Sequence, residues 1–184
     1  DLVRDMFDTA KLENDAFELS ITADVAVHEI VEEIAEEFAA DPDVLSMRSV
    51  PDRTIRATLD RDRIRQVVRN VVSNAAKYRQ TDKQATISVL LHRIDNAYFE
   101  IVVDDTPNGL GMTKSDLEAL KSGEPFWRAE AAKTSASGTG LGIQLSRKLV
   151  ERSGGQLRYD SEFGSGTIAT IRLPYSLGSD TDAV

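Results

Sequence analysis

Asn70, Asn74, Lys77 and Tyr78 share the stretch Asn70-Val-Val-Ser-Asn74-Ala-Ala-Lys77-Tyr78, which reads as helix but puts amide, cation and phenol where a soluble helix usually carries Leu or Glu. At about 100° per residue the four fall within about 100° of arc, beside a separate apolar stripe of Ile64, Val68, Val71 and Ala75. Amide oxygens and an ammonium group on one helix suit a hydrated magnesium ion and the phosphates it neutralises. Taken alone, the same residues also fit a solvated polar flank.

Glycine clusters lie downstream. Asp105-Thr-Pro-Asn-Gly109-Leu-Gly111-Met112 follows a strand ending in Val102 and Val103, which sets the Asp105 carboxylate at the rim of a sheet. A buried carboxylate there needs a donor. The exocyclic amine of a purine is one, and Gly109 would let a flat ring approach the backbone closely. An ordinary Asx turn with glycines at positive φ is the competing reading of this string. Gly138-Thr139-Gly140-Leu141-Gly142 opens a helix, where exposed backbone N–H groups and the helix dipole favour a phosphate, and a flexible loop with an N-cap competes. Gly164-Ser165-Gly166-Thr167 reads as a tight turn into a strand.

The chain has 184 residues, 41% of them hydrophobic, enough for one core of ordinary size. It has no cysteine, so a disulfide framework and a thiolate metal site are excluded; a metal would take oxygen ligands, and a reducing cytosolic setting is compatible. A net charge of -9 argues against general nucleic-acid binding, so an anionic ligand needs a local basic pocket. The acidic excess gathers at Glu29, Glu32, Glu33, Glu36, Glu37 and the tail, whereas Lys77, Arg79, Arg128 and Lys133 stand near the polar clusters. No long apolar run and no signal-peptide pattern occurs, and a cytoplasmic location is expected.

Helix is expected over residues 1–16, where Leu2, Val3, Met6, Phe7 and Ala10 recur at helical spacing. A short strand follows over 17–21. An amphipathic helix over 25–38 has Val27, Ile30, Val31, Ile34 and Phe38 on one side and Asp24 as N-cap. Strands are expected over 45–50 and 54–59, and a third helix over 62–78. Strands over 85–94 and 97–103 join through Asp95-Asn96 in a hairpin of type I′ or similar. A short helix over 114–120 leads to a mobile loop over 121–137. A helix over 140–153 ends at Gly154-Gly155, and strands over 156–161 and 166–173 close at Pro174. This order favours an α+β fold, a two-layer α/β sandwich with helices on one face of a mixed sheet. A chain that starts at Asp1 inside a helical pattern reads as cut from something longer.

Taken in order, the helix with Asn70, Asn74, Lys77 and Tyr78, then Asp105 with Gly109, then Phe126-Trp127-Arg128, then the 138–142 and 164–167 clusters closely resemble the boxes of the sensor histidine kinase catalytic and ATP-binding domain. That domain belongs to the wider GHKL group with the Bergerat ATP-binding fold. By the same resemblance residues 1–20 are the end of the dimerisation and phosphoacceptor helix with its linker, 21–176 the catalytic domain, and 177–184 a flexible tail.

The resemblance implies ATP and Mg2+ as ligands. Asn74 would coordinate the metal with Asn70 supporting, Lys77 would reach the phosphates, and Tyr78 would lie near the nucleotide. Asp105 would accept the adenine amine, directly or with a water held by Thr167, with Gly109 and Gly111 beside it. Arg128 and Lys133 would lie in a lid near the terminal phosphates, and Gly138, Thr139, Gly140, Leu141 and Gly142 would supply backbone N–H groups. A homodimeric parent, possession of a response regulator partner in a phosphorelay, and a site cytoplasmic in itself or as part of a membrane-bound sensor are also implied, without nucleic acid.

Two features, at Pro107 and in the lid, depart from the family pattern. Pro107 stands where the box usually has its first glycine, fixing φ near about -65° and removing a donor, so altered nucleotide binding is expected. Using Asp104 instead of Asp105 would need an insertion. The lid also lacks a second upstream phenylalanine. In hydrolysing branches of the group a glutamate four residues before the magnesium asparagine acts as general base; here that position is Asn70, which cannot take the proton. Transfer to a histidine is therefore expected rather than hydrolysis. Neither His28 nor His92 lies in the family's acceptor pattern on a bundle helix, so the acceptor is expected outside the chain, and the fragment is expected not to autophosphorylate alone. The rival is a degenerate kinase domain that serves as a protein interaction module with weak ATP binding.

Overall fold

The computed structural model describes residues 18–80, 82–122 and 141–176. Its elements are β1 (Thr22–Ala26), α1 (Val27–Ala39), β2 (Val44–Pro51), β3 (Arg56–Leu59), α2 (Arg61–Lys77), β4 (Ala85–Arg93), β5 (Tyr98–Asp104), α3 (Lys114–Ser122), α4 (Leu141–Arg152), β6 (Gln156–Glu162) and β7 (Gly166–Pro174). The expected helix over 1–16, the tail over 177–184 and, beyond the end of α3, the expected loop over 121–137 lie outside the described residues.

Five strands form one sheet in the order β2-β4-β5-β7-β6, with β2 and β4 parallel and the other pairs antiparallel. Register keeps one parity on one face. Ile101 pairs with Leu91 and Ile171, and Val103 with Val89 and Ala169, so buried apolar residues line up across three strands. Helices α1, α2 and α4 close a single core over this face with Ile30, Ile34, Ile64, Val68, Leu145 and Leu149. The α+β sandwich expected from element order is the fold observed. A separate antiparallel pair, β1 with β3, flanks it.

The five apolar positions read for α1 are its buried residues. Its start differs from expectation. Ala26 is the N-cap and makes no side-chain cap bond, while Asp24 sits inside β1 at φ 59° with its carboxylate on Arg56 (2.5 and 2.9 Å). Residues 18–21 are irregular and the strand begins at Thr22, because its partner is β3 rather than any local pattern. The 54–59 strand likewise starts later, at Arg56, since Asp52 holds Thr54 in a turn through its N–H (2.9 Å) and hydroxyl (2.6 Å). The β4–β5 connection is not type I′. Neither Asp95 nor Asn96 has positive φ, and the Asp95 carboxylate instead accepts the N–H groups of Ala97 (2.7 Å) and Tyr98 (2.8 Å).

Helix α2 begins earlier than expected, capped by the buried Asp60. One carboxylate oxygen accepts Arg63 N–H (3.1 Å) and the other Ser20 N–H (2.8 Å), so one side chain starts the helix and ties down the incoming chain. On the exposed side, Glu33 of α1 pairs with Arg61 and Arg65, and Glu37 with Arg65 and Arg69. Such exposed pairs add little energy each and mainly set how the two helices face one another. Among the described residues no helix is long and apolar enough to cross a membrane.

Truncating the fully buried Phe99 to Ala should destabilise the domain by about 3–5 kcal/mol, read as a lower urea midpoint. Asp60→Ala should cost about 1–2 kcal/mol, visible in the same titration.

Candidate functional site

The polar face of α2 is held in place from α4. Asn70 Nδ2 donates to the buried Ser146 Oγ (3.3 Å), which leaves the amide oxygen for another partner. Gly142, in the first turn of α4, lies beside the same amide; a Cβ there would sit 3.8 Å from Asn70 Nδ2, an ordinary contact, so its lack of a side chain is not demanded by this neighbour. Asn74 follows one turn on. Its carbonyl accepts Tyr78 N–H (2.8 Å), and Tyr78 is the C-cap at φ -96° and ψ 61°. The shared helical arc expected for four residues therefore holds for Asn70, Asn74 and Lys77 and ends there. The Lys77 ammonium lies 5.3 Å from the centre of the Tyr78 ring, within cation–π range.

Asp105 is buried because of parity. Phe99, Ile101 and Val103 face the helices, and the next residue of that parity is Asp105, whereas Asp104 turns away and caps Thr106 through its N–H (2.8 Å) and hydroxyl (2.7 Å). Asp105 Oδ1 accepts the Thr167 N–H at 2.5 Å, and Asp105 N–H donates to Thr167 O (3.1 Å). Burial pushes the carboxyl up to about 6, opposed by the Thr167 N–H and reinforced by the nearby Asp104 charge.

Two glycines make room for this carboxylate. A Cβ on Gly109 would stand 2.0 Å from Asp105 Oδ1, and one on Gly166, at φ 116°, would stand 2.7 Å from it. Gly109 thus admits the chain's own carboxylate, a demand on this position in addition to the expected approach of a flat ring. Gly111 is required twice over, by φ 71° and by the Glu162 carbonyl 2.0 Å from where its Cβ would be.

Ser161 joins the two loops around Asp105. It accepts Met112 N–H (2.8 Å) and donates to Gly166 O (2.8 Å). Its one hydrogen is then used, so the 2.8 Å contact with Thr167 must be donated by Thr167. Thr167 Oγ1 consequently offers only lone pairs to a further partner, which suits holding a water or an amine. The loop also meets the end of α2: Leu110 N–H donates to Tyr78 O (2.8 Å), Arg79 bridges Gly109, and Gly164 N–H reaches Leu110 O (2.7 Å).

Arg128, Lys133, Gly138, Thr139 and Gly140 lie outside the described residues; Leu141, buried, and Gly142 open α4. Arg79, read as a local cation, is engaged by Asp43 (2.6 Å) and by Ala76 O (3.0 Å). Ser146, Ser161 and the residue Gln80, whose amide bonds reach 27 to 84 positions along the chain, escaped the sequence reading, since no local pattern marks them. Among the described residues no cluster of His, Cys, Asp and Glu could hold a metal ion. The donors present are the neutral amide oxygens of Asn70 and Asn74. They fit a magnesium ion that keeps most of its ligands as water and phosphate oxygen.

The chain matches the family described as histidine kinase-, DNA gyrase B-, and HSP90-like ATPase over residues 59–177. The histidine protein kinase DivJ of Caulobacter vibrioides is 35% identical over 181 residues, which cover 96% of this chain and 29% of DivJ. The sensor histidine kinase WalK of Bacillus subtilis is 33% identical over 147 residues, covering 79% of this chain and 23% of WalK. The chain thus spans well under half of the length of these curated relatives. Full-length ShkA, solved in complex with AMPPNP, shares the fold with a TM-score of 0.77 at 23% identity, over 96% of this chain and 36% of that one. The family match runs from the end of β3 through β7 and takes in every candidate residue from Asn70 to Thr167, so the chain belongs to the histidine kinase-, DNA gyrase B-, and HSP90-like ATPase family.

Proposed function

We propose that this chain is the ATP-binding catalytic domain of a two-component sensor histidine kinase and that it transfers the γ-phosphoryl group of ATP to a histidine supplied by another segment or subunit. The observation that carries the reading is the hydrogen-bonded joint between the end of α2 and the Asp105 loop, which links the helix carrying Asn70 and Asn74 to the buried carboxylate. In this reading Asp105 accepts the adenine amine, with a water on Thr167 Oγ1. Gly109 and Gly111 shape that wall, and Tyr78 flanks the nucleotide. Asn74 with Asn70 would hold Mg2+, which when bound neutralises phosphate charge and orients the transferred group.

Lys77, with Arg128 and Lys133, serves the phosphates, and the 138–142 cluster supplies N–H groups. Asn70 donates to Ser146 and carries no basic atom, so nothing at that position takes a proton from water. Phosphotransfer by positioning fits this better than hydrolysis. His28 lies on α1 and His92 on β4, 3.7 Å from Glu100; neither is assigned the acceptor role. The parent is a homodimer, residues 1–20 belonging to its dimerisation and linker segment, with a response regulator receiver domain downstream and the catalytic part in the cytoplasm.

Titration with a fluorescent ATP analogue and magnesium should show saturable binding, weakened at least about tenfold in Asp105→Asn and in Asn74→Ala. Absence of binding at millimolar nucleotide would sink the reading. Steady phosphate release without any histidine acceptor would instead favour hydrolysis.

Asp105 also predicts a pH signature. Its folded-state value lies above 3.8, so the nucleotide-free fold holds this proton more tightly; the resulting stability is full below about 3.8 and is lost as pH rises through about 6. Adenine recognition needs the ionised form, so affinity for ATP should fall as pH drops below about 6. Both dependences should shrink in Asp105→Asn, checked by thermal melts and titrations across that range.

A further inference from the structure

Gln80 lies just beyond α2, and its side chain grips both walls of the Asp105 cradle. Its Nε2 lies within hydrogen-bond distance of Pro107 O (2.7 Å), Gly164 O (2.9 Å) and Gly109 O (3.2 Å), so that its two hydrogens are shared among three carbonyls, and its Oε1 accepts from Lys83 Nζ (2.7 Å). The chemistry of the neighbours fixes this orientation of the amide, since three carbonyls can only accept and an ammonium can only donate. The backbone adds to the grip, with Gln80 N–H on Asn108 O (2.9 Å).

The three carbonyls come from two loops. Pro107 and Gly109 belong to the segment after β5, and Gly164 to the turn between β6 and β7, just before Gly166 and Thr167, which begin β7 and flank the other side of the carboxylate. The Gln80 amide holds the loop carbonyls rather than Asp105 itself; it acts through the glycines that confine the carboxylate. Without its N–H groups this side-chain tie between the two loops is lost; water can take over the exposed Pro107 and Gly164 carbonyls, and the loops are then free to move apart.

We propose that Gln80 is a positioning residue that sets the preference of this site for a 6-amino over a 6-keto purine nucleotide. The inference rests on the nucleotide reading given above. An ionised carboxylate accepts and cannot donate, so it welcomes an amine and rejects a carbonyl only while it is held at the purine edge. Loosening its two walls lets the carboxylate withdraw, which removes the reward for the amine and the penalty for the carbonyl together.

The test compares magnesium complexes of ATP and ITP, competed against a fluorescent ATP analogue, on the wild type, Gln80→Leu and Gln80→Glu, with thermal melts in parallel. Leu keeps bulk without donors, and Glu keeps shape with acceptors only, so the second variant serves if the first does not fold. The expected result is a loss of about tenfold in the ATP-to-ITP affinity ratio in a folded variant, through weaker ATP binding with ITP changed less than about twofold. A merely structural role would weaken both nucleotides alike and leave the ratio unchanged, which overturns the inference. If the wild type binds ATP but shows no preference over ITP, the inference also fails while the nucleotide reading survives. If the wild type binds neither, the nucleotide reading itself falls and carries this inference with it.

Discussion

Side chains in β5 alternate between two faces, and Phe99, Ile101 and Val103 commit one parity to the helix layer. That commitment extends past the strand. Asp105 has the same parity and is carried inward, where a carboxylate is poorly solvated and rises to about 6. A backbone donor comes to it from Thr167, which stands on the adjoining strand because Asp104 pairs with Ile168 in the same ladder. The missing side chains at Gly109 and Gly166 are consequences of this placement, since either Cβ would collide with the carboxylate.

The second half of the site is built on α2, whose apolar positions and polar positions serve different neighbours. Ile64, Val67, Val68, Val71 and Val72 anchor the helix in the core, and Asp60 fixes its start. Asn70 reaches across to Ser146 on α4, and the chain leaving the helix bonds to the Asp105 loop through Tyr78 and Gln80. Orientation of the candidate ligands thus follows from packing on one side and from loop hydrogen bonds at one end.

Much of this was legible in the sequence where the signal is local. The apolar spacing of α1 named its five buried residues, and the Asn70 to Lys77 pattern marked the helix that bears the candidate ligands. Asp105 was singled out as buried because two apolar residues led into it. What escaped depends on distant partners. β1 forms against β3 and shows no alternation of its own, so Asp24 resembled a helix cap. Ser161 is one serine among many until Met112 and Gly166 are brought to it, and Gln80 looks like any polar residue after a helix. Gly109 is a similar case: a sequence shows that room is needed, and only the fold shows that the Asp105 carboxylate takes part of it.

The parallel pairing of β2 with β4 requires the chain to cross over, and the crossing segment holds β3 and α2. The helix bearing Asn70 and Asn74 is therefore also the tie that lets the edge strand join the sheet. Natural selection on folding and on ligand binding falls on the same 17 residues but on different sides of them. A lineage that abandoned nucleotide would still have to preserve Ile64, Val68 and Val71, while Asn70, Asn74 and Lys77 became free to drift. Decay of function in this fold would leave a trace confined to one stripe of one helix.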